Sequence, residues 1–311
     1  MSATTWDVVG LGENSVDRVL RLPSWPGFGP GAKVGVESPP PVVGGQVVTT
    51  LCTCASLGLR AAYVGAVGQD ALGALVREEL TRRGIDIGAV LTRAAGTREA
   101  VILVEPSGER VVLWSRDAAL ALRPSEVPVD LMRRTRVLHV DGVDLDATVH
   151  AAQLARAAGA IVTCDLDDVG EGRGALLEAA THPILAEGVP SALTREADVV
   201  QALHALGHRH PGPICVTRGA KGAMLLEGGR VYECPAPTVQ AVDTTGAGDV
   251  FRGAYIAARL EGLAPDDVLR FACAAAAVSC TRVGAVGGVP TRAEIDKLRR
   301  QDEGARYNPA L

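Results

Sequence analysis

The period of the hydrophobic positions changes repeatedly along the chain, and each change marks an element. Asp7-Val8-Val9-Gly10-Leu11-Gly12 predicts a short buried strand ending in glycines, and Arg18-Val19-Leu20-Arg21-Leu22 alternates like a second strand. Residues 23–43 break the pattern with Pro23, Pro26, Gly27, Gly29, Pro30, Gly31 and Pro39-Pro40-Pro41. Proline fixes φ and removes a donor, so this stretch predicts a flap with edge strands, not core. Helical spacing returns over 46–57 and stops at Gly58; 62–65 reads as a strand, and 71–83 as a helix ended by Gly84. Residues 99–106, a turn at Ser107-Gly108, and 110–114 predict a hairpin. Further strands are expected at 137–140, 160–165 and 214–217, with a helix over 148–158.

Short apolar strands with helices between them predict an α/β fold whose mostly parallel sheet is covered on both faces. Two stretches, about 15–43 and 97–116, leave that sheet as strands of a small separate lid. One domain is expected to span 1–311, with a loose polar tail after Gln301.

Composition narrows the partners. Of 311 residues, 47% are hydrophobic, enough for a sizeable core. A net charge of −5 and only 3% aromatics argue against a nucleic-acid partner. No apolar run approaches the ~20 residues that span a bilayer. Residues 1–7 lack a basic region followed by an apolar one, so a cytoplasmic protein without a leader is expected. The cysteines (52, 54, 164, 215, 234, 273 and 280) are odd in number and most lie in apolar runs. They read as small buried hydrophobes in a reducing compartment. Cys52 and Cys54 have no second pair at zinc spacing, and His208-Arg209-His210, ahead of Pro211-Gly212-Pro213, reads as a solvated loop. Gly10-Leu11-Gly12-Glu13-Asn14-Ser15 approaches a dinucleotide fingerprint, but Ser15 replaces the third glycine and no helical pattern follows.

The chemistry concentrates at Asp243-Thr244-Thr245-Gly246-Ala247-Gly248-Asp249-Val250-Phe251-Arg252-Gly253. Ala254, Ala257, Ala258 and Leu260 then recur at helical spacing until Gly262, which puts Gly246, Ala247 and Gly248 at a helix N-terminus. Amides there have no partners inside the helix, and the dipole is positive: an anion site suited to phosphate. Asp249 stands in the first turn beside it. A carboxylate placed against a phosphate site would repel the phosphate, so a cap needs no such arrangement. In a kinase the same carboxylate takes the acceptor's proton while the amides hold the transferring phosphoryl.

The whole eleven-residue string resembles the C-terminal signature of the ribokinase, or PfkB-type, carbohydrate kinases. Other segments follow in that family's order: Gly44-Gly45, Leu57-Gly58, 65–73, 83–86, Gly108-Glu109-Arg110, 216–223, 274–277 and Gly284-Ala285. The resemblance implies a three-layer ribokinase-like α/β sandwich with a β lid. It also implies Mg²⁺-ATP as donor, a small sugar or similar alcohol as acceptor, and a homodimer paired through the lids. Carried over by position, Asp249 is the general base and the Gly246, Ala247 and Gly248 amides are the anion hole. Asp17, Gly44 and Gly45 hold the acceptor. Thr217, Gly219, Gly222 and Thr244 hold the nucleotide, where Arg218 and Lys221 add charge or are simply exposed. Asp243 and Thr245 match an activating monovalent-cation site, so K⁺ is a candidate.

Two departures stand out. Thr49 replaces an asparagine expected four residues after Gly45, with Gln46 as a substitute donor. The family's Asn-x-x-Glu motif is matched best by Leu193-Thr194-Arg195-Glu196, which keeps only Glu196 as a metal-associated carboxylate. Arg116 is a candidate for an acidic or ketonic substrate group, with a plain surface arginine as the alternative. A nucleoside kinase, using Trp25 or Phe28 as a base platform, and a non-catalytic sugar sensor remain as alternative functions.

Overall fold

Strand β1 (Trp6–Leu11) lies at the middle of the chain's main sheet. The structure is a computed structural model that describes residues 6–25, 29, 31–106 and 110–307. From β1 the chain builds one flank with β4 (Ala61–Gly68) and β5 (Asp86–Arg93). It then returns to the other side of β1 through β8 (Thr135–Val140), β9 (Ile161–Leu166), β10 (His182–Ala186) and β11 (Ile214–Thr217), all parallel. An antiparallel hairpin, β12 (Ala223–Glu227) and β13 (Arg230–Cys234), closes that edge. The strand order therefore reverses between β1 and β8. In open parallel sheets, ligands bind beyond the strand C-termini at such a point.

Helices cover both faces. Against one side lie α1 (Gln46–Ser56), α8 (Ala247–Leu260), α9 (Pro265–Ser279) and α10 (Arg292–Tyr307). Here Val47, Leu51, Tyr255 and Phe271 pack on Val8, Tyr63, Val137 and Ile184. Also on this side is α2 (Ala71–Arg82), through Val76 and Leu80. The opposite face is covered by α3 (Val129–Arg133), α4 (Leu145–Ala157), α5 (Arg173–Ala179), α6 (Gly188–Thr194) and α7 (Val199–Gly207). Alanines 147, 151, 152 and 155 let α4 approach the strands closely.

A separate four-stranded sheet runs β3 (Val42–Gly44), β2 (Ser15–Arg21), β6 (Glu99–Val104), β7 (Arg110–Ser115). It forms the lid. Two of its strands come from residues 15–44 and two from 99–115. Leu113 and Trp114 are 56% and 65% exposed, so β7 leaves apolar surface uncovered.

Several expectations shift. Residues 23–43 hold less strand than expected: among the described residues, one bridge from Arg21 to Glu37 and the start of β3 at Val42. Prolines leave this stretch without the donors that a ladder needs. His210 is not a solvated loop residue, because its ring contacts the Ala180 carbonyl at 3.0 Å and is half-buried. Six of the seven cysteines are buried, and none forms a disulfide. The turn at Ser107-Gly108, residues 1–5, Phe28 and the end of the tail lie outside the described residues. No helix among the described residues is long and apolar enough to cross a membrane.

Candidate active site

The N-terminus of α8 decides the geometry. Gly246 caps it with φ 76° and ψ 2°, a left-handed conformation that side chains other than glycine's resist. A β-carbon there would fall 2.6 Å from the Ala285 Cβ. The preceding loop is pinned by Asp243, whose carboxylate accepts the Thr245 amide at 2.9 Å and the Gly284 amide at 2.8 Å. One side chain thus ties together the two loops that flank the helix start. Of the three amides expected to face an anion, that of Ala247 also donates to the Thr244 carbonyl at 3.3 Å.

Two cavities meet at this helix end. The first, of about 200 Å³, lies between lid and sheet and is lined by Glu13, Asp17, Gly45, Gln46, Arg116, Thr245, Gly246 and Asp249, among others. It sits beyond the C-terminus of β1, at the switch point. The second, of about 520 Å³, is lined by Thr217, Gly219, Gly222, Thr244, Ala247 and Gly248, and by an apolar wall that includes Val239, Phe251, Cys273, Ala276 and Ala277. Gly246 and Asp249 face the small polar cavity, and Ala247 and Gly248 face the larger apolar one. An anion held at this helix end would therefore touch the contents of both.

In the polar cavity, Asp17 is buried and accepts a hydrogen bond from the Ser15 hydroxyl at 2.8 Å. Burial pushes its pKa up to about 6, with the charges of Glu13 and Asp243 adding to the rise. Gly44 lies directly against it: a β-carbon there would stand 2.4 Å from the Asp17 Oδ2. Gly45, at φ 98°, brings α1 onto the backbone of Glu13 and Asn14. Gln46 donates to Asp167 at 2.7 Å.

Thr49 behaves differently from expectation. It does not line the cavity; it is fully buried, its hydroxyl lacks a partner, and its methyl lies beneath Gly246. Arg116 reaches the cavity but is engaged by Glu13 and packs over Trp114 at 4.7 Å. Trp114, and not the expected Trp25, is the aromatic residue on the cavity wall; Phe28 lies outside the described residues.

Asp249 is 14% exposed. Burial raises its pKa to about 7, opposed by the Arg252 guanidinium and reinforced by Asp167, Glu13 and Asp141. Arg252 was not singled out from the sequence. It is buried, bonded to Asp165 and, at 3.1 Å, to Asp167, and lies 3.8 Å from the Asp249 Oδ1. The lid is tied to the main sheet's side by a buried pair, Arg98 with Asp144 at 3.0 Å.

Glu196 is not brought to the site. It follows α6, is exposed, lines neither cavity, and its amide donates to the Thr194 hydroxyl. The acidic residue at the strand end is instead Glu187, which pairs with Lys221 at 2.9 Å and with Arg218 at 3.5 Å. Those two cations are thus committed to a carboxylate beside the larger cavity.

A sequence model described as the pfkB family carbohydrate kinase matches residues 26–292. The chain belongs to this family. It is a carbohydrate kinase by that membership, and its relatives span sugar and nucleoside acceptors. It is 28% identical over 300 residues to the ribokinase of Haemophilus influenzae, covering 91% of this chain and 95% of that one. It is 26% identical to the nucleoside kinase of Methanothermobacter thermautotrophicus, covering 94% of each. The structure of Arabidopsis thaliana ribokinase complexed with ribose and ATP superposes with a TM-score of 0.82. That match is 24% identical and covers 95% of this chain and 99% of that one.

Proposed function

We propose that this kinase transfers the γ-phosphoryl of ATP to a primary hydroxyl of a small sugar or sugar-like compound held in the polar cavity. The observation that carries the reading is the position of Asp249 and the α8 N-terminus at the junction of a small polar cavity and a larger apolar one. The apolar wall at Phe251, Cys273, Ala276 and Ala277 suits an adenine, and Thr244, Gly219 and Gly222 suit its phosphates. Asp17 accepts hydrogen bonds from acceptor hydroxyls, and Gln46 helps to shape the same pocket. Asp249 removes the hydroxyl proton as the phosphoryl arrives, and the amides of Gly246, Ala247 and Gly248 face the charge that develops. The lid keeps water from competing with the acceptor.

Mg²⁺ supplies charge neutralisation on the nucleotide phosphates. Among the described residues no group of three or more ligating side chains exists. This fits an ion carried in on phosphates and water, the usual mode for Mg²⁺. Asp243 and Thr245 are the candidates to border a K⁺ ion. The Asp243 carboxylate already holds the Thr245 and Gly284 amides of the two loops that would border such an ion.

Trp114 on the cavity wall gives the nucleoside reading one specific support, since a base could stack there. ADP release from Mg-ATP across sugars, keto-acids and nucleosides, with and without K⁺, separates the readings. One sugar giving turnover well above background is expected. Turnover confined to nucleosides would transfer the assignment to them, and silence across the panel with ATP bound would refute both.

A further inference from the structure

Beneath the α8 N-terminus lies a buried polar layer that anion binding by backbone amides does not require. His139 on β8 and Thr163 and Asp165 on β9 are buried there, together with Asp141 just past β8 and Arg252 from α8. His139 Nδ1 meets the Thr163 hydroxyl at 2.9 Å. His139 Nε2, Asp165 Oδ2 and Arg252 Nε have no partners. Burying polar groups is costly unless they are hydrogen-bonded or paired, so the unpartnered atoms here mark a layer not built for stability alone.

Among the described residues, Arg252 is the cation bonded into this layer. Sitting in the second turn of α8, it gains nothing from the positive end of the helix dipole. Its place is instead fixed from below by Asp165 and Asp167. A β-carbon on Gly248 would stand 2.6 Å from the Arg252 Nη1, so the guanidinium packs directly under an anion-hole residue. The same nitrogen is 3.8 Å from the Asp249 Oδ1. Asp167 meanwhile accepts from Gln46, which lines the polar cavity, so a single chain of contacts runs from acceptor pocket to base.

We propose that Arg252 is a positioning residue for phosphoryl transfer, holding Asp249 as a carboxylate aimed at the acceptor and backing the anion hole at Gly248. This rests on the kinase reading above. Without that cation, the charges acting on Asp249 would be mainly acids: Glu13 from the β1–β2 connection, Asp141 after β8, and Asp165 and Asp167 from β9 and the loop beyond it; Arg98 lines the same cavity but is paired with Asp144. Asp17 and the Glu13–Arg116 pair share the cavity. Glu13 is engaged by Arg116, and Arg98 acts on Asp141, which leaves Arg252 as the described cation beside Asp165, Asp167 and Asp249.

Arg252→Met alone would strand Asp165 in the core, so the informative variant is Arg252→Met with Asp165→Asn, compared with Arg252→Lys. Thermal melting and ATP titration establish that each variant folds and binds nucleotide. Infrared spectroscopy then follows the carboxylate band that disappears when Asp249→Asn is added to each background. The expected result is that the double variant raises the midpoint of this band by about one pH unit and lowers kcat by ~10²-fold. Its KM for ATP should stay within about threefold, and Arg252→Lys should return the midpoint toward that of the wild type. A folded double variant whose midpoint is unmoved, or whose kcat stays within about threefold of wild type, overturns the proposal. The infrared titration needs no turnover. A silent acceptor panel would therefore count against the kinase reading, and an unmoved midpoint against Arg252.

Discussion

Replacing Gly246 by alanine tests whether the left-handed cap of α8 is what builds the anion site. At φ 76° the new side chain carries a backbone cost of ~1–2 kcal/mol. Its β-carbon would also stand 2.6 Å from the Ala285 Cβ and 2.7 Å from the Ala285 Cα, both on a loop anchored through Asp243. Such crowding adds ~1–3 kcal/mol. Together these give roughly 2–5 kcal/mol, or a melting temperature lower by roughly 3–8 °C for a chain of this size. Relief of the clash must move either the loop or the first turn of α8, and a displaced anion hole should cost kcat ~10²–10³-fold.

The other end of α8 supplies the control. Gly262 has φ 74° but nothing within 4 Å of its β-carbon position. Gly262→Ala should therefore show only the backbone cost of ~1–2 kcal/mol and near-normal turnover. Differential scanning fluorimetry and steady-state kinetics on both variants check this. If Gly246→Ala matched Gly262→Ala in both stability and kcat, the cap would be an ordinary turn and the reasoning would fail.

Two pH-linked outcomes follow from the buried carboxylates. The Asp249 pKa of about 7 means that the base is progressively protonated below neutrality, so kcat/KM should rise about tenfold per pH unit up to about 7 and then level off. A flat profile from pH 5 to 8 would contradict its role. For Asp17, the folded pKa of about 6 lies above the unfolded 3.8, so the native state binds the extra proton and stability falls as pH rises through that window. Asp17→Asn should thus gain stability over wild type as pH rises from about 4 to 7, by at most about 3 kcal/mol, while weakening acceptor binding. Denaturant melts at several pH values would show the trend, and a pH-independent difference would speak against burial as its cause.

What could be read in the sequence was local. The Gly246-Ala247-Gly248-Asp249 nest needs only its own residues and the helix after them, so its chemistry was visible in eleven consecutive positions. The lid was visible because proline and glycine exclude core structure from residues 23–43. Arg252 was not visible as part of the site. Its partner Asp165 is 87 positions away, and only the packing of α8 on β9 joins them. Strand β10 was hidden because it is short and carries Pro183 where a ladder donor would stand. With that strand unplaced, Leu193–Glu196 was the best match to an Asn-x-x-Glu spacing, whereas the strand ends at Ala186 and Glu187 follows it. Thr49 fitted a substrate position by count, yet the close seat of Gly246 on α1 buries it.

The central claim is that Asp249 is the base at a junction of two pockets, and Asp249→Asn tests it most directly. The variant removes the carboxylate while keeping the shape of the side chain, so Mg-ATP binding by titration calorimetry should stay near that of the wild type. Turnover of the best acceptor should fall by at least ~10²-fold. Near-normal turnover with ATP bound as before would contradict the account.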